Sequence, residues 1–208
     1  MTEKLLFWLQ VIMAWVYTAP QVIFIVSGKT AGLTLAVYVV FLAYMALGLT
    51  LSISSYKIKR EKARKHLIII FLQWLILVGA ILAVGLNKII WRPGDTVICV
   101  AILILSVFTI AHFRGFKDPI GRGLLAVWCK AIPQLWLAYT MLNAKSSAGV
   151  PIITLLAGHI TSIPRLIEIF ISGSKHGWDR PTKGLLLGES ANILTWVAVT
   201  IVWIFTAS

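Results

Sequence analysis

Acidic side chains are what this chain has least of: seven Asp plus Glu stand against 19 Lys plus Arg, and charged residues make up only 12% of the 208. With 59% hydrophobic residues and a mean hydropathy of +0.91, too little polar surface remains to coat a soluble globule. The composition therefore belongs in a bilayer. A formal net charge of +12 would suit nucleic acid in a soluble protein, but in a membrane chain it marks contact with anionic lipid headgroups. Nucleic acid is set aside as a partner. Cysteine is nearly absent, and Cys99 and Cys129 both fall in apolar segments, which excludes a disulfide framework or a spaced metal site. Of four histidines only His159 is deep, while His66, His112 and His176 lie near segment boundaries. That is too few convergent ligands for an intramembrane metal hydrolase. No phosphate loop and no paired nucleophile and base appear, so neither an enzyme, a metal nor a cofactor is expected.

Apolar stretches fill the space that charge leaves empty. A requirement of roughly 20 apolar residues per helical span gives seven segments: Leu5–Val26, Gly32–Ile53, Leu67–Leu86, Thr96–His112, Leu124–Leu142, Val150–Ile171 and Leu185–Ala207. The first is too long for a signal-peptide core and is read as a span. The last contains no lysine, which removes a retinal-binding protein from consideration. Short connections carry Gly, Pro or charge, as in Trp91-Arg92-Pro93-Gly94-Asp95, Phe116-Lys117-Asp118-Pro119 and the stretch from Lys175 to Pro181. Trp8, Trp91 and Trp203 sit near span ends, as an interfacial belt would place them.

The chain also repeats itself. Pro20-Gln21 and Pro133-Gln134 each lie inside an apolar segment, and each leads into a short basic loop, Gly28-Lys29-Thr30-Ala31-Gly32 and Lys145-Ser146-Ser147-Ala148-Gly149. Three spans leave the chain on the opposite face, so a second copy in the same orientation needs one extra crossing. The short fourth segment supplies it. The predicted fold is an all-α membrane protein of seven transmembrane helices, two parallel triple-helix bundles joined by an inverting fourth helix, a 3+1+3 plan. Its boundaries are 1–90 for the first bundle with its basic loop, 91–118 for the linker helix and 119–208 for the second bundle. The loop glycines Gly32 and Gly149 are offset by four residues more than the proline pair. About one helical turn has been added to the second copy.

These two proline-glutamine stretches, set in a duplicated seven-span plan, resemble the PQ-loop, SWEET and cystinosin superfamily. The resemblance covers nearly the whole chain in span plan and is sharpest from Ala19 to Thr34 and from Ile132 to Gly149. It implies a transporter of sugars, amino acids, cystine or vitamin-like compounds, with a non-transporting receptor or sorting protein on the same fold as the alternative. In sugar-carrying relatives, asparagines in the third and seventh spans flank the substrate. This sequence has Asn192, but Gln73 at the other position, which speaks against a simple sugar assignment.

Physical reasoning about the prolines does not need the family. Each removes an amide donor and clashes one turn back, freeing a carbonyl near Val16 or Cys129. Pro20, Gln21, Pro133 and Gln134 are therefore candidate hinges. Loop charge gives orientation: thirteen Lys and Arg lie on the N-terminal side and four on the other. That asymmetry predicts a cytoplasmic N-terminus in a bacterial inner membrane, with a eukaryotic plasma or lysosomal membrane as the alternative. The run from Tyr56 to Lys65 is expected to be a solvated loop touching lipid headgroups.

Lys130, Arg165, Glu168 and Glu189 are the charges inside spans, all in the second repeat and all toward the N-terminal side. Because such charges are costly in hydrocarbon, they should pair, either as a structural clamp or as a cytoplasmic-side gate or proton-coupling network. Gln73 and Asn192, at similar depths in the third and seventh spans, are candidates to read a solute's polar groups. Trp74 and Trp196 could stack on it, and His159 and Tyr44 lie near mid-membrane. The expected partners are a small-molecule solute and lipid, and the plan also accommodates a homo-oligomer.

Overall fold

The computed structural model describes residues 3–58, 62–113 and 115–207. Lys59, Arg60 and Glu61 of the basic run, and Arg114 of the charge count, lie outside the described residues. Every regular element among the described residues is helical: α1 (Glu3–Val26), α2 (Leu35–Ile58), α3 (Lys62–Gly85), α4 (Pro93–His112), α5 (Pro119–Ala126), α6 (Ile132–Ala144), α7 (Ile152–His176) and α8 (Arg180–Thr206). A π-helical turn, Val127–Ala131, joins α5 to α6 without a gap. Helices α1 to α4, α7 and α8 are each long and apolar enough to cross a membrane. The chain is an integral, multi-pass membrane protein.

Helix is the form an apolar segment must take here, because hydrocarbon offers no partner to an unpaired amide or carbonyl. The outer faces fit lipid: Ile23, Ile76, Leu103, Leu194 and Phe205 are each more than 60% exposed, a surface that would drive a soluble protein to aggregate. Polar residues mark the helix starts. Asp118 accepts the Ile120 amide at 2.8 Å just ahead of Pro119, and Asp179 accepts the Thr182 amide at 2.8 Å just ahead of α8. Both are aspartate N-caps followed by proline in the first turn. Arg180 reaches back to Asp118 at 2.6 Å, tying the two helix starts together. That guanidinium, helped by the cap amides, holds the Asp118 carboxyl below the usual carboxylate range.

Helix packing divides into two sets. In the first, α3 packs against both α1 and α2; in the second, α8 packs against α7 and against α5, the π turn and α6. The sets meet where α1 contacts α7 and α2 contacts α6, while α4 lies against α2, α5 and α6. Small residues bring α5 and α8 close. A Cβ on Gly184 would collide with the Pro119 carbonyl, and one on Gly123 with the Gly184 carbonyl. Gly184 and Gly188 thus form a GxxxG face of the kind that lets membrane helices approach backbone to backbone.

The helices carrying the two proline-glutamine pairs differ in length beyond the proline. Helix α1 runs six residues past Pro20 to Val26, whereas α6 runs eleven past Pro133 to Ala144. Of the basic run, Tyr56 to Ile58 close α2 and Lys62 to Lys65 open α3. The expected loop is largely helical, because lysine and arginine are good helix formers.

Candidate functional site

A cavity of about 200 Å³ lies between the two helix sets. A cavity of ~150 Å³ takes up a benzene molecule, so this one has the size for a small organic solute. One wall comes from α1, α2 and α3, including Tyr17, Tyr38, Phe41, Tyr44 and Trp74; the other comes from the π turn, α6, α7 and α8, including Lys130, Gln134, Arg165, Glu189, Asn192 and Trp196. Polar groups gather on the second wall and aromatic groups on the first.

The polar wall is one connected network. The Thr195 hydroxyl donates to the Gln134 carbonyl oxygen, and the Gln134 amide donates to Asn192 Oδ1 at 3.0 Å. Asn192 in turn donates to Ser162 at 2.9 Å and, at 3.4 Å, to Glu189 Oε2. The other carboxylate oxygen, Oε1, has Lys130 Nζ at 3.4 Å and Arg165 Nε at 3.3 Å. One acid thus serves two cations. The Arg165 Nε–H is buried without a hydrogen bond, since the Glu189 oxygen is at ion-pair distance but out of line. Lys130 owes its aim to the π turn on which it sits, a wide turn of backbone often found at functional positions. The turn stands directly before Pro133, whose missing amide breaks the regular ladder.

Opposite this network, aromatic rings pack edge to face, Tyr17 on Trp74 at 5.5 Å and Phe41 on Trp74 at 5.6 Å, and Tyr17 reaches across to Trp196 of the polar wall at 6.1 Å between centroids. Gly158 leaves room for the Trp196 indole, which a Cβ there would strike.

Toward the ends of α1, α3, α6 and α8 the space closes. Ile25, Leu33, Val78, Ile81, Met141 and Val199 are almost completely buried there. The loops after α1 and α6 also meet here: Gln21 Nε2 of α1 donates to the Gly149 carbonyl at 2.8 Å, the Gly149 amide to the Ala31 carbonyl at 3.0 Å and the Thr140 hydroxyl of α6 to the Gly32 carbonyl at 2.7 Å. Gly32 has φ of +79°, and a Cβ on it would also meet the Ser146 carbonyl. Only glycine fits both demands.

Several sequence candidates converge on the cavity: Tyr44, Trp74, Lys130, Pro133, Gln134, Arg165, Glu189, Asn192 and Trp196 all line it. Gln73 does not. Its amide donates to the Val11 carbonyl at 2.8 Å, binding α3 to α1. His159 bonds Thr200 at 2.9 Å, a tie between α7 and α8 outside the lining. Glu168 takes part in none of the ion pairs among the described residues. Pro20 lies within α1, which stays α-helical across it. The two proline-glutamine pairs therefore differ in use, Gln21 reaching the loop after α6 and Gln134 joining the polar wall. Counted from the observed ends of α7 and α8, Arg165 is eleven residues in and Glu189 nine. That places them about 17 and 14 Å along their helices from those ends at ~1.5 Å per residue.

Sequence reasoning missed Asp95. Fully buried at the start of α4, its carboxylate accepts Thr34 at 2.6 Å, Trp136 at 2.7 Å and the Arg92 amide at 2.9 Å. It fastens α2, α4 and α6 together. An acid in the first turn after Pro93 was the available signal. Cysteine or histidine groups able to hold a metal are absent among the described residues. No protein-family model, curated protein or solved structure matches the chain.

Proposed function

We propose that this protein is a membrane carrier or uniporter that moves a small polar organic solute by alternating access. The observation that carries the reading is the cavity between the helix sets, walled from both sides and sealed at one end by the contacting loops. In this reading the segment from α5 through α6 is a seventh span, and the packing pattern supports a 3+1+3 plan. Helix α3 stands between α1 and α2 as α8 stands between α7 and the α5–α6 segment, and the cross-contacts α1–α7 and α2–α6 exchange under a two-fold axis. The PQ-loop and SWEET resemblance of the sequence agrees with this arrangement.

The sealed end is the one remote from the N-terminus. With thirteen of the loop cations on the N-terminal side, a cytoplasmic N-terminus in a bacterial inner membrane makes the closed loops the outer gate. Opening that gate requires breaking the Gln21–Gly149 and Ala31–Gly149 contacts while the kinked helices swing, with Pro20 and Pro133 as the pivots. Glu189 is the carboxylate through which protons could couple to this motion, since its neutralisation would release Lys130 and Arg165 together. The anionic headgroups at the basic α2–α3 junction are the lipid partners.

Uptake of labelled amino acids, sugars and small organic acids into proteoliposomes tests the proposal. Saturable flux of at least one class, lost when the loops are cross-linked through Cys introduced at Ala31 and Ala148, is expected. Absence of saturable flux or exchange across the panel would remove the carrier reading.

A further inference from the structure

Charge in the cavity lining does not balance. Lys130 and Arg165 contribute two positive charges and Glu189 one negative, the only ionic side chains among the lining residues, which leaves one positive charge in excess. A cation inside a bundle of membrane-spanning helices is costly when it is left uncompensated. The donors are unbalanced as well. Arginine carries five N–H donors in a planar fork, yet Arg165 makes no hydrogen bond among the described residues, and its Nε–H is buried without a partner. Its side chain is one third exposed and lines the cavity. Glu189 has little left to offer: Oε1 already faces both cations and Oε2 takes the Asn192 amide.

We infer that the cavity binds a small monocarboxylate, its carboxylate held by the free fork of Arg165 beside Lys130 and its compact apolar body against the Trp74, Phe41 and Tyr17 rings. A carboxylate matches the guanidinium fork in two parallel hydrogen bonds and neutralises the excess charge in one step. The aromatic wall has no ionic group to hold a second charge, which favours a solute with a single carboxylate. A cationic solute would add to the surplus positive charge. A neutral one would leave the fork and the surplus charge uncompensated. The inference rests on the carrier reading for its biological meaning, but the binding chemistry stands on the cavity alone.

Matched probes test it. Benzoate against benzamide, and butyrate against butyramide, differ in charge at nearly constant shape, and quenching of Trp74 and Trp196 fluorescence in purified protein at pH 7 reports their binding. The carboxylate of at least one pair should bind ten-fold or more tighter than its amide. Arg165→Gln should abolish that preference, and Arg165→Lys should retain part of it. Equal binding within both pairs, preference for the amides, or no binding by any probe would overturn the inference, and these wild-type outcomes do not depend on a variant folding. Flux separates the two proposals. Carboxylate-selective binding without transport sinks the carrier alone, whereas saturable transport of neutral solutes without carboxylate preference sinks the anion site alone.

Discussion

Gln21 Nε2 donates to the carbonyl of Gly149 across 128 residues of sequence, at 2.8 Å and with the glutamine side chain buried. This amide links helix α1, one residue past Pro20, to the basic loop that follows α6. It sits beside the Gly149–Ala31 backbone hydrogen bond and the Thr140–Gly32 bond, so the closed end of the cavity is fastened by loop backbone and by two side chains.

Gln21→Ala should therefore loosen the closed end without disturbing the polar wall. Losing the bond and stranding a buried carbonyl costs about 1–3 kcal/mol, visible as a lower midpoint in thermal unfolding. Cysteine labelling gives the more specific readout. A cysteine introduced at Ala31 should react faster with an impermeant maleimide in the Gln21→Ala background. Unchanged labelling together with unchanged stability would mean that the loop backbone and Thr140 close this end without Gln21.

Glu168 and Glu189 look equivalent in the sequence, yet only Glu189 faces two cations. Glu189→Gln should leave Lys130 and Arg165 facing each other and destabilise the protein on the order of 3 kcal/mol, the scale for removing one partner of a buried pair. Glu168→Gln should cost less than about 1 kcal/mol, as for an exposed or weakly paired acid. If transport is proton-coupled, Glu189→Gln alone should lose pH-driven uptake while keeping exchange. Equal effects of the two substitutions would show that the ion-pair geometry does not decide their roles.

The α5–α8 seam gives a stability prediction with its own control. Gly184→Ala places a Cβ against the Pro119 carbonyl, and backbone cannot yield as a side chain can. A loss of about 1–3 kcal/mol is expected from such overpacking. Gly79 in α3 has nothing within 4 Å of where its Cβ would stand, so Gly79→Ala should be neutral or stabilising by up to about 1 kcal/mol. Thermal unfolding of the two variants in one detergent makes the comparison.

What the sequence made legible follows from how periodic the signal is. Long apolar runs state their helices directly, because a bilayer leaves them no other form, and of the two proline-glutamine pairs Pro133 and Gln134 line the cavity and Gln21 helps close it, while Pro20 does neither. The three interior charges Lys130, Arg165 and Glu189 met because charges in hydrocarbon must seek each other. Three features were hidden. The π turn depends on how a proline's broken ladder is absorbed, which propensity does not report. Asp95 was concealed in a loop because its partners Thr34 and Trp136 are 61 and 41 residues away. The partner of Gln73 was invisible because a backbone carbonyl, Val11, carries no mark of residue type.

That last case separates two amides that symmetry made look alike. Gln73 and Asn192 lie at matching depths in α3 and α8, but Gln73 ties α3 to α1 and does not line the cavity, whereas Asn192 lines it at the junction of Gln134, Ser162 and Glu189. Asn192→Ala removes the link between Gln134 and the Glu189 carboxylate, so it should weaken solute binding ten-fold or more and raise KM for transport. Gln73→Ala frees one partly buried carbonyl and should cost about 0.6 kcal/mol, the average for an interhelical hydrogen bond in a membrane, with KM unchanged within a factor of two. Measuring stability and KM for both variants distinguishes a helix tie from a binding group. A larger KM change at Gln73 than at Asn192 would place the solute against α1 and α3, away from the charged wall.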